Sequence, residues 1–339
     1  MEIDMINKIL KDTASYTPGA ILLITNQKTT IFESVGFSDR KAKTRMNKNA
    51  VLRIGSVTKT YVATLVMMAT EEDLLDLNSG IDNYLDSSVL KKLPKNLNPT
   101  MRQLLNHTSG IPDYYGPRFY LQDWKDRGPL TTSLILQTIR GKKPTGKPGE
   151  KFNYSNTNYH LAALILEKLY KKSLADLFQE KLFSPLSLKE TYYGISSPPG
   201  DDIHGYGSLG RPWQDTYTWQ ENTGPDGGIF ATAADLNKWM RDLFSTYGSY
   251  YKYAQEMMAN PVYETDQKQQ GMGVEILTSK SGIKFVGHTG GLDGYLTAAF
   301  YLPIKDTVIV LHVNRSKEKQ FGKTLRSVLG YVATNKEFD

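Results

Sequence analysis

The sequence predicts a mixed α/β (α+β) chain in which an antiparallel sheet is built from both chain ends and flanked by helices, with a mostly helical domain inserted between them. Three observations carry this. Strand patterns gather near residues 20–35 and again at 271–313, helical periodicity dominates 61–255, and a helix-like stretch lies beyond the strands at each end. At 339 residues and roughly 150 residues per domain, about two domains are expected. We place the sheet domain at 1–60 together with 256–339 and the helical domain at 61–255, with a site in the cleft between them.

Taken in order, residues 2–14 read as a short surface helix. Residues 20–24 and 29–35 read as two strands joined at Asn26-Gln27-Lys28, a hairpin that opens the fold. Helical patterns follow at 61–70, 131–138, 157–170, 174–182 and 233–247, separated by loops rich in Gly, Pro and Tyr. Thr232 followed by Asp235 reads as a capping box for the last of these. Strand patterns resume at 271–278, 284–287, 297–301 and 308–313, before a closing helix at about 317–333.

Composition excludes several classes of function. With 40% hydrophobic and 22% charged residues and no repeat of fixed period, the chain is neither disordered nor a solenoid. The net charge of +6 is spread along the sequence, and the densest basic stretch, Arg140 to Lys147, is interrupted by Gly141, Pro144 and Gly146 and reads as a solvated loop, so no nucleic-acid partner is expected. The absence of cysteine rules out disulfides, zinc-thiolate sites and thiol nucleophiles. Five histidines without ligand-like spacing give no expectation of a metal, and no cofactor is expected either. No window approaches the ~18 apolar residues of a membrane span, and Met1 to Thr17 lacks the apolar run of a signal peptide. The expected location is therefore the cytoplasm, or the periplasm or exterior if a leader has been removed.

Serine hydrolysis needs a nucleophile, a nearby base and donors for the oxyanion. Ser56-Val57-Thr58-Lys59 supplies the first two, because residues three apart share a helix face. Spacing alone does not select it, since Ser38, Ser88, Ser249 and Ser281 also have a lysine three positions on. Context does: Gly55 permits a sharp turn, and Tyr61, Val62, Leu65, Val66 and Met68 follow as an apolar helix whose buried start would desolvate Lys59 and lower its pKa. The alternative for Ser56 is a plain helix N-cap. Tyr154-Ser155-Asn156 is the one Tyr-x-Asn among the 21 tyrosines, joining a phenol that can relay a proton to an amide that can hold a substrate. His288-Thr289-Gly290-Gly291 leaves a strand with glycines that let a substrate lie against its edge and with Gly291 N–H as a second oxyanion donor.

The ordered set Ser56-x-x-Lys59, Tyr154-x-Asn156 and His288-Thr289-Gly290 resembles the three motifs of the serine β-lactamase and penicillin-binding protein superfamily, on its class C side. Residues 104–111, 183–186, 227–235 and 290–295 support the resemblance, which runs from about 18 to 315. It implies a β-lactamase/transpeptidase-like fold, acylation at Ser56, oxyanion donors from Ser56 and Gly291, and proton transfer shared by Lys59 and Tyr154 without either being fixed as the acylation base. Asn156, His288, Thr289, Gly290 and Gly291 would bind substrate, while His107 would be structural. His288 departs from the lysine usual in class C β-lactamases and is similar to D-alanyl-D-alanine carboxypeptidases, which weakens the case for antibiotic hydrolysis because a neutral imidazole offers no fixed charge to a carboxylate.

The activity expected is therefore that of a D-amino-acid peptidase, carboxypeptidase-like and penicillin-binding. The alternatives are a carboxylesterase or amidase of the same fold, a class C-like β-lactamase, and a non-enzymatic sensor that acylates and stalls. The partners expected are small-molecule, peptide or ester substrates and β-lactams as covalent ligands. No arginine stands between Arg241 and Arg315 to bind a substrate carboxylate, although Lys280 and Lys284 precede His288 and Glu275 lies on the strand before it. Tyr114, Tyr115, Trp213, Tyr217 and Trp219 are candidates for an aromatic wall, with core packing as the commoner role of such residues.

Overall fold

The computed structural model describes residues 2–116, 131–195, 197–200, 202–207, 213–217 and 224–339. Its strands are β1 (Gly19–Thr25), β2 (Thr30–Asp39), β3 (Thr44–Arg45), β4 (Val51–Arg53), β5 (Thr191–Tyr192), β6 (Tyr206–Gly207), β7 (Gln214–Asp215), β8 (Phe230–Thr232), β9 (Val262–Thr265), β10 (Lys268–Gln270), β11 (Glu275–Thr278), β12 (Lys284–Leu292), β13 (Tyr295–Leu302) and β14 (Thr307–Val313). The helices that matter for the site are α1 (Glu2–Ala14), α2 (Thr58–Glu71), α3 (Thr157–Tyr170), α4 (Ala233–Phe244) and α5 (Glu318–Thr334).

The large sheet has the order β3-β2-β1-β14-β13-β12-β11-β10-β9 and is antiparallel at each pairing. The chain ends meet inside it, where β1 pairs β14 from Ala20 opposite Val313 to Thr25 opposite Val308. Both strands are buried along their whole length, since helices cover both faces of the sheet at this point. On one face α1 supplies Ile6, Ile9 and Leu10, and α5 supplies Phe321, Leu325, Val328, Leu329 and Val332, the helical spacing of a single apolar stripe. On the other face the core runs without interruption from Ile21, Leu23 and Val310 into Tyr61, Leu166 and Trp239 of the helices.

Boundaries shift in instructive places. The stretch expected as one strand at 271–278 is a turn followed by β11 at Glu275–Thr278, because Gly273 takes a φ of +73° and Gly271 N–H bonds back to the Val274 carbonyl. Thr232 caps α4 by accepting from Asp235 N–H at 3.2 Å, but the Asp235 carboxylate turns to Glu190 N–H and the Thr191 hydroxyl, so only half of the expected box forms. A complete box closes instead at Thr100 and Gln103. A second sheet, β4-β8-β5, was not legible from periodicity, since its strands are two or three residues long. It delivers the chain to Gly55 and Ser56. No helix among the described residues is long and apolar enough to cross a membrane.

Candidate active site

Ser56 lies in a 3-10 turn, Gly55–Val57, that runs directly into α2. The α2 residues from Thr58 to Met67 are all buried, so the helix is sheathed on every side, and Tyr61 stacks on Trp239 with ring centroids 4.0 Å apart. The Ser56 side chain makes no capping bond; its hydroxyl accepts from Lys59 Nζ at 2.9 Å. The simple N-cap alternative is therefore not what the side chain does. Ser316, which also has a lysine three residues on, instead accepts from Gly294 N–H and lies 3.3 Å from an Asp293 carboxylate oxygen.

Lys59 is wholly buried. Besides Ser56, its amine donates to Asn156 Oδ1 at 2.8 Å and to the Asp226 carbonyl at 2.6 Å. Both of these partners are pure acceptors. A neutral amine held by them through its two N–H bonds must turn its lone pair to the remaining direction, toward Ser56 Oγ. Burial pulls the Lys59 pKa down to about 8, against the opposing pull of Asp226, Asp113 and Glu275.

The orientation of Asn156 is fixed from behind. Asp113 accepts from Asn156 N–H at 3.0 Å and from Asn156 Nδ2 at 3.1 Å, which leaves the amide oxygen for Lys59. Burial pushes Asp113 up to about 6. Sequence reasoning missed this carboxylate, as it missed Asp226; neither stands at a spacing that marks it among the other acidic residues.

Tyr154 reaches the same point from the segment before α3, its ring centre 5.1 Å from Lys59 Nζ and its hydroxyl near the Ser56 side chain. Desolvation raises its pKa well above the ordinary phenol value, so the group is held as a phenol. His107 sets its place: the imidazole stacks on Tyr154 at 4.1 Å, Nδ1 accepts from Ser155 N–H at 3.1 Å, and the His107 carbonyl accepts from Asn153 N–H at 2.8 Å. Desolvation keeps that ring well below the ordinary histidine pKa, hence neutral.

The third wall is β12. It pairs with β11 only from Lys284 to Gly287, so from His288 onward that edge of β12 is open. Thr289 N–H points to the open edge, where it meets Glu275 Oε2 at 3.2 Å, and Gly291, two residues on, turns its own N–H to the same side. The strand lies tightly against the turn that carries Ser56: a Cβ on Gly290 would sit 1.9 Å from the Ile54 carbonyl oxygen and 3.0 Å from Ser56 N, whereas on Gly291 it would meet Leu296 at 3.3 Å. Gly55, at a φ of +53°, faces Gly291 N across the same gap. Gly290→Ala is accordingly expected to push β12 off Ser56 and slow acylation by about a hundredfold or more, the scale of losing one oxyanion donor, while Gly291→Ala retains most of it. Burst kinetics on the two variants, with circular dichroism for the fold, check this order.

His288 does not present its ring to solvent: the side chain is 1% exposed, and Nδ1 lies against the Thr289 carbonyl. Burial lowers its pKa to about 4, so it carries no charge at neutral pH. Thr289 donates its hydroxyl to Glu275, with Oε1 at 2.9 Å and Oε2 at 3.1 Å. Glu275 is itself paired with Lys268 at 2.9 Å. Burial opposes its ionisation, but His288, Lys268 and Thr289 around it more than compensate and its pKa is lowered.

Ser56, Lys59 and Asn156 are thus brought into one hydrogen-bonded group, with the Tyr154 ring beside Lys59 and with Gly290 and Gly291 against it. Of the residues expected as an aromatic wall, Tyr115 lines a cleft together with Gly291 and Leu292. Tyr114 is wholly buried, the guanidinium groups of Arg40 and Arg315 both lie over the Trp213 ring, Tyr217 stacks on His204, and Trp219 falls outside the described residues.

Comparison with known proteins gives a beta-lactamase family model that matches residues 7–333. The chain belongs to the beta-lactamase family. This is a family of serine hydrolases that includes amidases, peptidases and esterases. The protein is 24% identical over 325 residues to Penicillin-binding protein 4* of Bacillus subtilis (strain 168), covering 90% of this chain and 70% of that one. It spans 61% of the length of a second curated relative, from Staphylococcus aureus. Its fold is similar to a D-stereospecific amidohydrolase from Streptomyces sp. (TM-score 0.83, 23% identity, 96% of this chain and 98% of that one). It is also similar to the D-amino acid amidase from Ochrobactrum anthropi SV3 complexed with L-phenylalanine amide (TM-score 0.84, 22% identity, 97% and 99%). The family member is thus a serine hydrolase of the β-lactamase and penicillin-binding protein fold.

Proposed function

We propose that this hydrolase cleaves amide bonds of D-amino-acid derivatives through an acyl-enzyme on Ser56, and that it prefers leaving groups without a carboxylate. Neutral Lys59 takes the Ser56 proton as the oxygen attacks the carbonyl, and Ser56 N–H and Gly291 N–H receive the oxyanion. Tyr154, held as a phenol, gives its proton to the departing nitrogen and recovers one from the Lys59 ammonium, which returns that base to its neutral form. The chain of donors is then ready for water to enter in place of the amine and release the product by the same steps in reverse.

The preference rests on a single observation, the bond from Thr289 to Glu275. A hydroxyl has one proton, and that of Thr289 is directed to a carboxylate, leaving lone pairs toward the open edge. With His288 neutral and Lys268 committed to Glu275, a substrate carboxylate placed beside Thr289 would meet acceptors. This moves the reading from carboxypeptidase toward amidase. The reading for D-substrates is supported by the likeness in fold to two enzymes named for D-specific hydrolysis.

The test is a comparison of kcat/KM for an N-acyl-D-Ala-D-Ala peptide with its C-terminal amide. The amide is expected to be favoured at least about tenfold, roughly the effect of one unpaired polar group in a buried site, and Glu275→Gln is expected to narrow the gap. A preference for the free carboxylate would return the protein to the carboxypeptidase reading.

A further inference from the structure

Outside the groups assigned above, the described structure buries one more charged cluster against Lys59. Asp226 is 3% exposed, and its carboxylate accepts from the Tyr114 hydroxyl at 2.8 Å and meets His160 Nε2 at 2.9 Å. The three residues come from three segments: Tyr114 from the loop that carries Asp113, His160 from α3 one turn after Asn156, and Asp226 from the loop before Gly227-Gly228. That last loop is locked in turn, with Gly228 N–H donating to the Gly224 carbonyl at 2.8 Å and Ile229 N–H to Thr58 Oγ1 at 3.1 Å. Asp226 is thus pinned by its side chain while its carbonyl takes a proton of Lys59. Holding an amine by that carbonyl requires only the backbone, so the buried acid needs a separate account.

We propose that Asp226 is the positioning residue for the base: its anchored carboxylate fixes the carbonyl that aims Lys59 at Ser56 and supplies the fixed negative charge that offsets the burial of the Lys59 ammonium. The proposal rests on the reading of Lys59 as the acylation base. The other groups that face Lys59 are Ser56, Asn156 and the rings of Tyr154 and Tyr159 in contact, with Asp113, Glu275, His107 and His288 around them. Among the charged groups that favour the ammonium, Asp226 acts most strongly. Burial opposes ionisation of the acid itself, but His160, Lys59 and the Tyr114 hydroxyl outweigh it and hold Asp226 at about 2. It stays an anion throughout the range in which Lys59 titrates.

The consequence is a shift in the pH profile, which a purely structural role would not produce. Loss of the charge lowers the proton affinity of Lys59, so in Asp226→Asn the acid limb of acylation moves to lower pH by about one unit, the lower end of the effect of a neighbouring opposite charge. At a pH one unit below the wild-type midpoint, the rate relative to its own plateau then rises several-fold. The experiment follows the pre-steady-state burst with p-nitrophenyl acetate, a substrate that does not titrate, from pH 5.5 to 9.5. A limb that stays in place or moves to higher pH overturns the proposal. If Asp226→Asn does not fold, Tyr114→Phe decides: it keeps the acid but removes one donor, so the limb should move slightly to higher pH, and no movement or the reverse overturns the proposal. Failure of the underlying reading is distinguishable, because a normal burst in Lys59→Ala would remove the base, whereas a fixed limb with Lys59 essential removes only the role of Asp226.

Discussion

Ser56→Ala is expected to lower turnover by roughly a millionfold, the scale of loss when a serine hydrolase is deprived of its nucleophile, with the fold intact. The geometry behind this is specific. Ser56 is only partly exposed, makes no helix cap, and accepts from Lys59 with Tyr154 close by. Removing one oxygen leaves Lys59 its bonds to Asn156 and Asp226, so the surroundings stay satisfied. Stopped-flow assays on an activated ester, with thermal unfolding to show a folded variant, check the outcome.

Lys59→Ala is expected to cost about 10²- to 10⁴-fold in acylation, the usual contribution of a positioned general base. It also opens a cavity at a wholly buried position, so Lys59→Met serves as the volume-matched comparison. The pH dependence separates base removal from packing loss. In the wild type the active form is the neutral amine, whose fraction grows as pH rises through its pKa of about 8, so acylation should increase across that range and level off above it. In both lysine variants this limb should disappear, leaving a flat residual rate. A limb retained in Lys59→Met would assign the titration to another group.

The contact between Ser56 and Lys59 could be found in the sequence because it is local: the two lie one helical turn apart, and an apolar run shows that the turn is buried. Tyr154 and the glycines at 290 and 291 were legible for the same reason, as residue types whose close spacing has a chemical use. The sheet was legible at its chain ends, where β1 and β14 are long apolar runs. What could not be read depends on contacts between distant segments. Asp113 and Asp226 acquire their roles only when loops more than a hundred residues apart close around Lys59, and nothing in their flanking sequence announces it. His288 was expected to meet substrate from its place in the motif, yet whether a side chain leaving a strand ends in a cleft or beneath it depends on its neighbours, and here the ring is buried with Nδ1 near Glu275 and against the Thr289 carbonyl. The short strands β4, β5 and β8 escaped because two or three residues show no periodicity.

The most direct test of the account is intact-protein mass spectrometry after brief exposure to a fluorescent penicillin and, separately, to a p-nitrophenyl ester, with peptide mapping of any adduct. The account predicts an added acyl mass on the wild type, formed faster from the ester than from the carboxylate-bearing penicillin, mapped to Ser56 and absent from Ser56→Ala, with a lifetime set by how fast water replaces the leaving group. An adduct of equal yield on Ser56→Ala, or wild-type turnover with no acyl mass trapped by rapid acid quench, would contradict it.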